Sequence, residues 1–208
     1  MGATSLADPV PVVDRVFKGI LDQIKQNAAF HGVVAQDFTS VLAKIVRFVA
    51  SRLNADRVED SGLDYLFEVA DEKDPLEEDL ARDMRRFLAS SELSRGSFFS
   101  EVRAVAHGRV DVLMIFPTHQ FVAELKKESA DASWDALVKH YGTQGAAYQA
   151  TDVPLGFVVT LDLTRRGQPP PLLAECFEVR HLTFGSETQR TLVFVKVAGN
   201  QKSPSALK

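Results

Sequence analysis

The sequence is poor in cysteine and in long apolar runs. Cys176 is the only cysteine among the 208 residues, so the chain can form neither an internal disulfide nor a zinc site that needs several thiols. No apolar stretch approaches the ~20 residues that cross a bilayer, and residues 1–11 lack the basic and then apolar pattern of a secretory signal. We therefore expect a protein of the reducing cytoplasm with no membrane partner.

Several catalytic signatures are also missing. The chain has no Gly-rich phosphate loop, no Gly-x-Ser-x-Gly nucleophile elbow and no kinase signature. Hydrophobic residues make up 45% and charged residues 25% of the sequence, which excludes a disordered chain or a fibrous repeat. A length of 208 residues gives room for one domain with a modest extension.

The net charge of −4 is unevenly distributed along the chain. The segment from Asn54 to Asp79 contains eleven acids and two bases. The rest of the chain contains 22 bases and 17 acids and could present a basic face to a polyanion. The acidic total therefore does not exclude a nucleic-acid partner.

The first half of the chain has helical patterning. Apolar residues recur every three or four positions over 12–24 and 38–53, which predicts two helices. The acidic segment follows, with a short helix expected over 63–69. Asp74-Pro75 is a typical cap and first-turn pair, so we expect a further helix from there to about Ser90.

The second half is predicted to contain a sheet. From Ser97 the apolar period becomes two, and the short breaks permit only antiparallel neighbours, so we expect a three-stranded meander. A helix is expected over 131–149. The expected strands are 98–105, 109–116, 120–127, 156–163, 176–182 and 191–197. This order predicts an α/β fold, a mixed sheet flanked by helices. We divide it into a helical N-terminal extension (1–73), a core (74–198) and a flexible tail (199–208).

Two short motifs put charged residues on neighbouring strands. Gly108-Arg109-Val110-Asp111 puts a carboxylate in the second strand, and Glu124-Leu125-Lys126 puts an acid and an amine on one side of the third. Because these strands are expected to pair, Asp111 and Glu124 can converge. Two convergent carboxylates suit a hard divalent cation such as Mg²⁺ or Mn²⁺. Lys126 could orient or help deprotonate an attacking water and offset charge in a phosphoryl transition state.

An ordinary explanation competes with this one. Charged residues that alternate on a half-exposed strand are often only a solvated face. Here the neighbouring residues, 112–115 and 121–123, are apolar on both faces of the strands. A buried carboxylate needs a partner because an isolated buried charge is expensive, and a metal ion is one such partner.

A third motif, Gln144-Gly145-Ala146-Ala147-Tyr148, lies in the helix expected after the meander. With the two strand motifs, it resembles the RecB-like branch of the PD-(D/E)xK nuclease superfamily, whose motifs occur in this order. The resemblance covers about residues 75–163 and implies a restriction-endonuclease-like αβββαβ core with additional C-terminal strands. No proline precedes Asp111, a departure that the superfamily tolerates.

The resemblance implies a Mg²⁺-dependent deoxyribonuclease that uses metal-activated water, with Mn²⁺ as a substitute. Asp111, Glu124 and the backbone carbonyl of Leu125 would bind the metal, and Lys126 would be the catalytic lysine. DNA would be the partner.

The resemblance also assigns residues on two helices. Gln144 and Tyr148 would position DNA or catalytic groups. The family uses a glutamate on the helix before the sheet, and Glu77 lies at the edge of that helix's apolar stripe, so we choose it as a metal ligand and keep Glu78 as the alternative. Domains of this kind serve in restriction, antiviral defence and DNA repair.

Two other functional classes stay open. A PD-(D/E)xK-like module that has lost catalysis would bind DNA or serve in assembly. A scaffolding protein would use its acids and lysine only as surface ion pairs. In any of these classes, the N-terminal helices could join the chain to a second copy of itself or to a larger assembly.

Overall fold

The computed structural model describes residues 11–55, 62–67, 75–90, 97–105, 108–147, 153–165, 168–184 and 188–202. These ranges contain α1 (Val12–Ile24), α2 (Gly32–Leu53), α3 (Glu77–Ser90) and α4 (Trp134–Ala147). They also contain β1 (Ser97–Val105), β2 (Gly108–Ile115), β3 (Gln120–Glu128), β4 (Leu155–Asp162), β5 (Phe177–Phe184) and β6 (Thr188–Ala198). Short 3₁₀ helices lie at Asp64–Leu66 and Leu173–Cys176.

The structure confirms the four long helices that were expected, with differences at their ends. Where a short helix was expected over 63–69, it has the 3₁₀ helix Asp64–Leu66, and residues 68–69 lie outside the described residues. α2 begins at Gly32, six residues before the expected start. Its first turn is more exposed than the part from Phe38 onwards, so the apolar pattern that predicted the helix starts only there. α4 begins at Trp134, after a turn in which Asp131 Oδ1 accepts a hydrogen bond from Ser133 N at 2.8 Å. In the described part of the chain, no helix has the length and apolar character needed to cross a membrane.

The six strands form one mixed sheet in the order β1-β2-β3-β4-β6-β5. β1, β2 and β3 are an antiparallel meander, as expected. β4 is parallel to both β3 and β6, and β5 is antiparallel to β6 at the edge. The α/β architecture with a mixed sheet is therefore confirmed.

Helices cover both faces of this sheet. On one face, α1, α2 and the first 3₁₀ helix share the main hydrophobic cluster with the strands. The ring of Phe38 in α2 stacks on that of Phe157 in β4, with 4.7 Å between centroids. On the other face, α4 packs on β4 and β6 through a smaller cluster that contains Leu137, Val158 and Phe194. All eight residues of β4 are buried, because the strand is covered from both sides.

The two N-terminal helices contribute to the core of the chain itself. Seven apolar residues of α2 are fully buried, namely Phe38, Val41, Leu42, Ile45, Val46, Phe48 and Val49. Association with a second copy through these helices stays a prediction, as does the domain boundary at residue 74, which lies outside the described residues.

A buried ion pair joins α2 to α3. Arg52 donates to both oxygens of the Asp83 carboxylate, from Nε at 2.6 Å and from Nη2 at 2.7 Å. Tyr65, in the 3₁₀ helix, donates its hydroxyl to the same carboxylate at 2.6 Å. The Arg52 guanidinium also lies 4.7 Å from the centroid of the Phe48 ring. These contacts set the position of α3, whose first turn faces the candidate site.

Candidate active site

A pocket of about 580 Å³ lies where α3, β2, β3 and α4 meet. Its walls combine acids, lysines and an amide from parts of the chain that are far apart in sequence. The lining residues are Leu76, Glu77, Glu78, Ala81, Asp111, Glu124, Leu125, Lys126, Lys127 and Gln144. The structure therefore brings together every residue that the sequence analysis proposed for the site, except Tyr148, which lies outside the described residues.

Asp111 lies where the pairing of β2 with β3 ends. The register pairs Val112 with Ala123 and goes no further along β2 in that direction. Beyond it, Asp111 Oδ2 accepts a hydrogen bond from the backbone N–H of Leu125 at 2.8 Å. The carboxylate is thereby held beside the Glu-Leu-Lys motif, as the expected strand pairing predicted.

Glu124 is the most buried acid of the pocket, with 1% of its surface exposed. Its Oε1 accepts hydrogen bonds from Lys126 Nζ at 2.6 Å and from Gln144 Nε2 at 2.7 Å. Its Oε2 is buried and has no hydrogen-bond partner among the described residues. Burial, with a smaller contribution from the charge of Asp111, raises the pKa of Glu124 to about 7, although the hydrogen bond from Lys126 works against this rise. Oε1 of Glu124 is therefore held by two donors, whereas Oε2 is left to accept from a ligand.

Lys126 is the cation that faces these carboxylates. Burial alone would lower its pKa, but the hydrogen bond and charge of Glu124, with the charges of Asp111 and Glu77, outweigh burial and raise the pKa. The side chain of Lys126 is 14% exposed. It is thus a protonated amine held at the edge of the pocket by Glu124.

The two neighbouring glutamates of α3 differ in what they contact. Glu77 Oε1 accepts a hydrogen bond from the backbone N–H of Lys127 at 3.1 Å, so its carboxylate lies against β3. Glu78 Oε1 accepts one from Arg85 Nη2 on its own helix at 2.6 Å. Both line the pocket, but Glu77 is the one whose carboxylate is bonded to the strand that carries Glu124. Its role as a metal ligand stays a prediction.

Gln144 reaches Glu124 because α4 lies very close to the sheet. A Cβ atom added at Gly145 would lie 2.8 Å from Cγ2 of Val158, which is closer than real Cβ atoms come. A glycine at this position is what permits the close approach. The motif around Gln144 therefore combines a polar side chain aimed at β3 with the small residue that brings it there.

Tyr141 is a neighbour of the site that the motifs did not indicate. Its hydroxyl donates to Glu128 Oε2 at 3.2 Å and reaches the carbonyl oxygen of Lys127 at 3.4 Å, so α4 is tied to the end of β3. Burial and the nearby Glu128 raise the pKa of Tyr141 to about 12. The available signal was its spacing of three from Gln144, which puts both residues on neighbouring positions of one helix face.

The donor set of the pocket fits a hard divalent cation. Asp111 and Glu124 offer carboxylate oxygens, and Glu124 Oε2 is a buried acceptor in need of a partner. Within the described ranges, no three His, Cys, Asp or Glu side chains form a ready ligand group. A cation here would be held by these two carboxylates and the carbonyl of Leu125, with Glu77 as the further predicted ligand and water completing its shell, as is common for Mg²⁺.

Comparisons with protein-family models, with curated proteins and with solved structures returned no match to this chain.

Proposed function

We propose that this chain is a Mg²⁺-dependent nuclease with a restriction-endonuclease-like core that hydrolyses DNA phosphodiester bonds. The observation that carries the proposal is the shared pocket of Asp111, Glu124, Lys126 and Gln144, which come from β2, β3 and α4. These are the residues on which the resemblance to PD-(D/E)xK nucleases rests. Their convergence supports a common chemical task.

The charge of the pocket supports a requirement for a metal. Four carboxylates line it, those of Glu77, Glu78, Asp111 and Glu124, against the two amines of Lys126 and Lys127. A phosphodiester is itself an anion and would be repelled by this excess of negative charge. A divalent cation reverses the local balance and so makes the pocket a site for phosphate.

Each proposed role follows from a contact of this chain. When bound, Mg²⁺ supplies a Lewis acid that lowers the pKa of water and offsets charge that develops on the phosphate. Asp111 and Glu124 hold it. Gln144 keeps the Glu124 carboxylate in place through Oε1, which leaves Oε2 directed to other partners. Lys126, protonated and close to both acids, offers a donor to a phosphate oxygen or to the attacking water.

The test is cleavage of matched supercoiled and linear plasmid DNA in Mg²⁺, in Mn²⁺ and in EDTA. We expect cleavage in either metal, none in EDTA, and none with Lys126→Ala. The matched control is Lys139→Ala, because Lys139 is an exposed lysine of α4 and does not line the pocket. Loss of closed circles indicates an endonuclease, whereas loss of linear DNA alone indicates an exonuclease.

Two results would contradict the proposal. Equal cleavage by the wild type and by Lys126→Ala would mean that a contaminant or another site does the chemistry. Metal-independent DNA binding without any cleavage would instead favour the catalytically silent module.

A further inference from the structure

A second pocket, of about 240 Å³, lies at the carboxyl ends of β4 and β6. The parallel register pairs Asp162 with Ala198, so both strands end at this edge. The pocket is lined by Trp134, Asp162, Arg165, Pro171, Glu175, Lys196 and Ala198. The carboxyl ends of parallel strands are where open sheets commonly bind ligands.

Two cations of this pocket have unused hydrogen-bonding capacity. Lys196 Nζ lies 3.8 Å from the centroid of the Trp134 ring. Arg165 donates from Nη2 to the carbonyl of Pro169 at 3.3 Å, while its Nε is buried and has no hydrogen-bond partner in the described ranges. Neither cation has an acid within ion-pair distance in the described part of the chain. A buried guanidinium nitrogen without an acceptor is costly unless a ligand supplies one.

The two acids of the pocket already have other partners. Asp162 Oδ1 accepts hydrogen bonds from the backbone N–H of Thr164 at 2.9 Å and from its hydroxyl at 2.6 Å. Glu175 Oε2 accepts one from the backbone N–H of Leu172 at 2.8 Å. These bonds hold the loops that frame the pocket.

Charges of both signs act on Lys196. Burial lowers its pKa and so does the charge of Arg165, whereas Asp162 acts more strongly than Arg165 and raises it. An anion bound between the two cations would stabilise the charged form of Lys196 against burial.

We propose that Arg165 and Lys196 bind a phosphate group in this pocket. A guanidinium presents a planar fork of donors that matches phosphate oxygens, and an ammonium adds a compact charge. The phosphate could come from a nucleic-acid strand or from free phosphate. The site itself does not depend on the nuclease proposal.

The sheet register relates this pocket to the candidate active site. β3 pairs Lys126 with Thr160, and β4 pairs Thr160 with Lys196, so the three side chains form one row on the face that α4 covers. Thr160 is fully buried, and no described residue forms a hydrogen bond with its Oγ1. Two strand spacings separate the lysine backbones by about 10 Å. If the nuclease proposal holds, the second pocket would bind a phosphate of the DNA strand beside the scissile bond.

The chain contains a built-in reporter for this site. Trp134 is its only tryptophan, and Lys196 lies over its ring. An anion that draws the ammonium away from the ring changes the intrinsic fluorescence. Titration with inorganic phosphate, at constant ionic strength and in EDTA, should therefore produce a saturable change in emission.

Variants identify the residues that bind. Arg165→Gln leaves the contact of Lys196 with Trp134 in place. It should raise the phosphate concentration at the midpoint about tenfold, the loss of affinity expected for a charged hydrogen bond. Lys196→Met should raise the midpoint by a similar factor. The midpoint is compared, and not the emission itself, because this variant starts from a different emission. Lys139→Met removes a positive charge from exposed α4 and should leave the midpoint unchanged. Far-UV circular dichroism checks that each variant is folded.

A second titration identifies the source of the phosphate. A single-stranded DNA 12-mer that binds more tightly than phosphate, with an advantage that shrinks in salt and in Arg165→Gln, indicates a nucleic-acid strand. Binding of the 12-mer no tighter than that of phosphate indicates free phosphate. No saturable change with either probe, or equal midpoints in all the variants, would overturn the proposal. EDTA prevents metal-dependent cleavage, so failure of the nuclease assay would leave this result intact.

Discussion

Replacing Gly145 with alanine tests how closely α4 approaches the sheet. The added Cβ would lie 2.8 Å from Cγ2 of Val158 and 3.3 Å from Cδ1 of Leu192. Both neighbours are fully buried and have little room to move. We therefore expect the helix itself to shift away from β4 and β6.

The size of the effect follows from two opposing terms. Alanine is better than glycine in a helix interior by ~1 kcal/mol. Overpacking of a tight core costs ~1–3 kcal/mol, so Gly145→Ala should lower the free energy of unfolding by about 1 kcal/mol. Because Gln144 moves with the helix, a shift of ~1 Å would also reduce cleavage by up to ~100-fold in the proposed nuclease.

The assay is urea denaturation followed by far-UV circular dichroism. Gly19→Ala is the matched control, because Gly19 lies inside α1 and nothing is within 4 Å of an added Cβ there. The control should gain up to ~1 kcal/mol from helix propensity alone. An equal gain in Gly145→Ala would refute the close packing of α4 on the sheet.

Three further outcomes are expected. Asp83→Ala should lower the free energy of unfolding by about 3–5 kcal/mol, because it leaves Arg52 buried without its carboxylate. A loss below ~1 kcal/mol in urea denaturation would contradict the buried pair. Cys176 is fully buried, and burial raises the pKa of its thiol to about 12, so its reaction with a thiol reagent at pH 8 should proceed only at the rate of unfolding. Fast labelling of the native protein would place the thiol elsewhere. Because folding raises this pKa, ionisation of the thiol favours the unfolded chain, and its contribution to stability falls as the pH rises above 9. Mg²⁺ at 100 times its Kd should stabilise the wild type by about 2.7 kcal/mol in thermal denaturation, whereas Asp111→Asn should be stabilised far less. Equal stabilisation of both proteins would show that Asp111 does not bind the metal.

Local patterns were sufficient to predict most helices and strands. The apolar runs in β2 and β3 reflect strands that are largely buried, and the short breaks between them allow only antiparallel neighbours. The phase of the apolar stripe in α3 also predicted that Glu77, rather than Glu78, would face the sheet, where it bonds the backbone of Lys127. These features depend on residues close together in the chain.

Features that depend on distant partners were not predictable from the sequence. Arg52 and Asp83 are 31 residues apart, and each looks like an ordinary surface charge on an amphipathic helix. Their burial is a result of how α2 packs against α3. The sequence showed Gly145 only as part of a motif. Its close approach to Val158 depends on the distance between α4 and β4, which the sequence does not give. The buried Oε2 of Glu124 likewise depends on a distant residue, because Gln144 donates its hydrogen bond to Oε1 and not to Oε2.

The position of β6 between β4 and β5 has a consequence for synthesis on the ribosome. β5 leaves the ribosome before β6, yet β6 is the strand that separates it from β4. Until β6 emerges, β4 and β5 each present an unpaired edge, and unpaired edges readily bind other chains. The nascent chain must therefore wait for residues 188–198 before the parallel centre of its sheet can close.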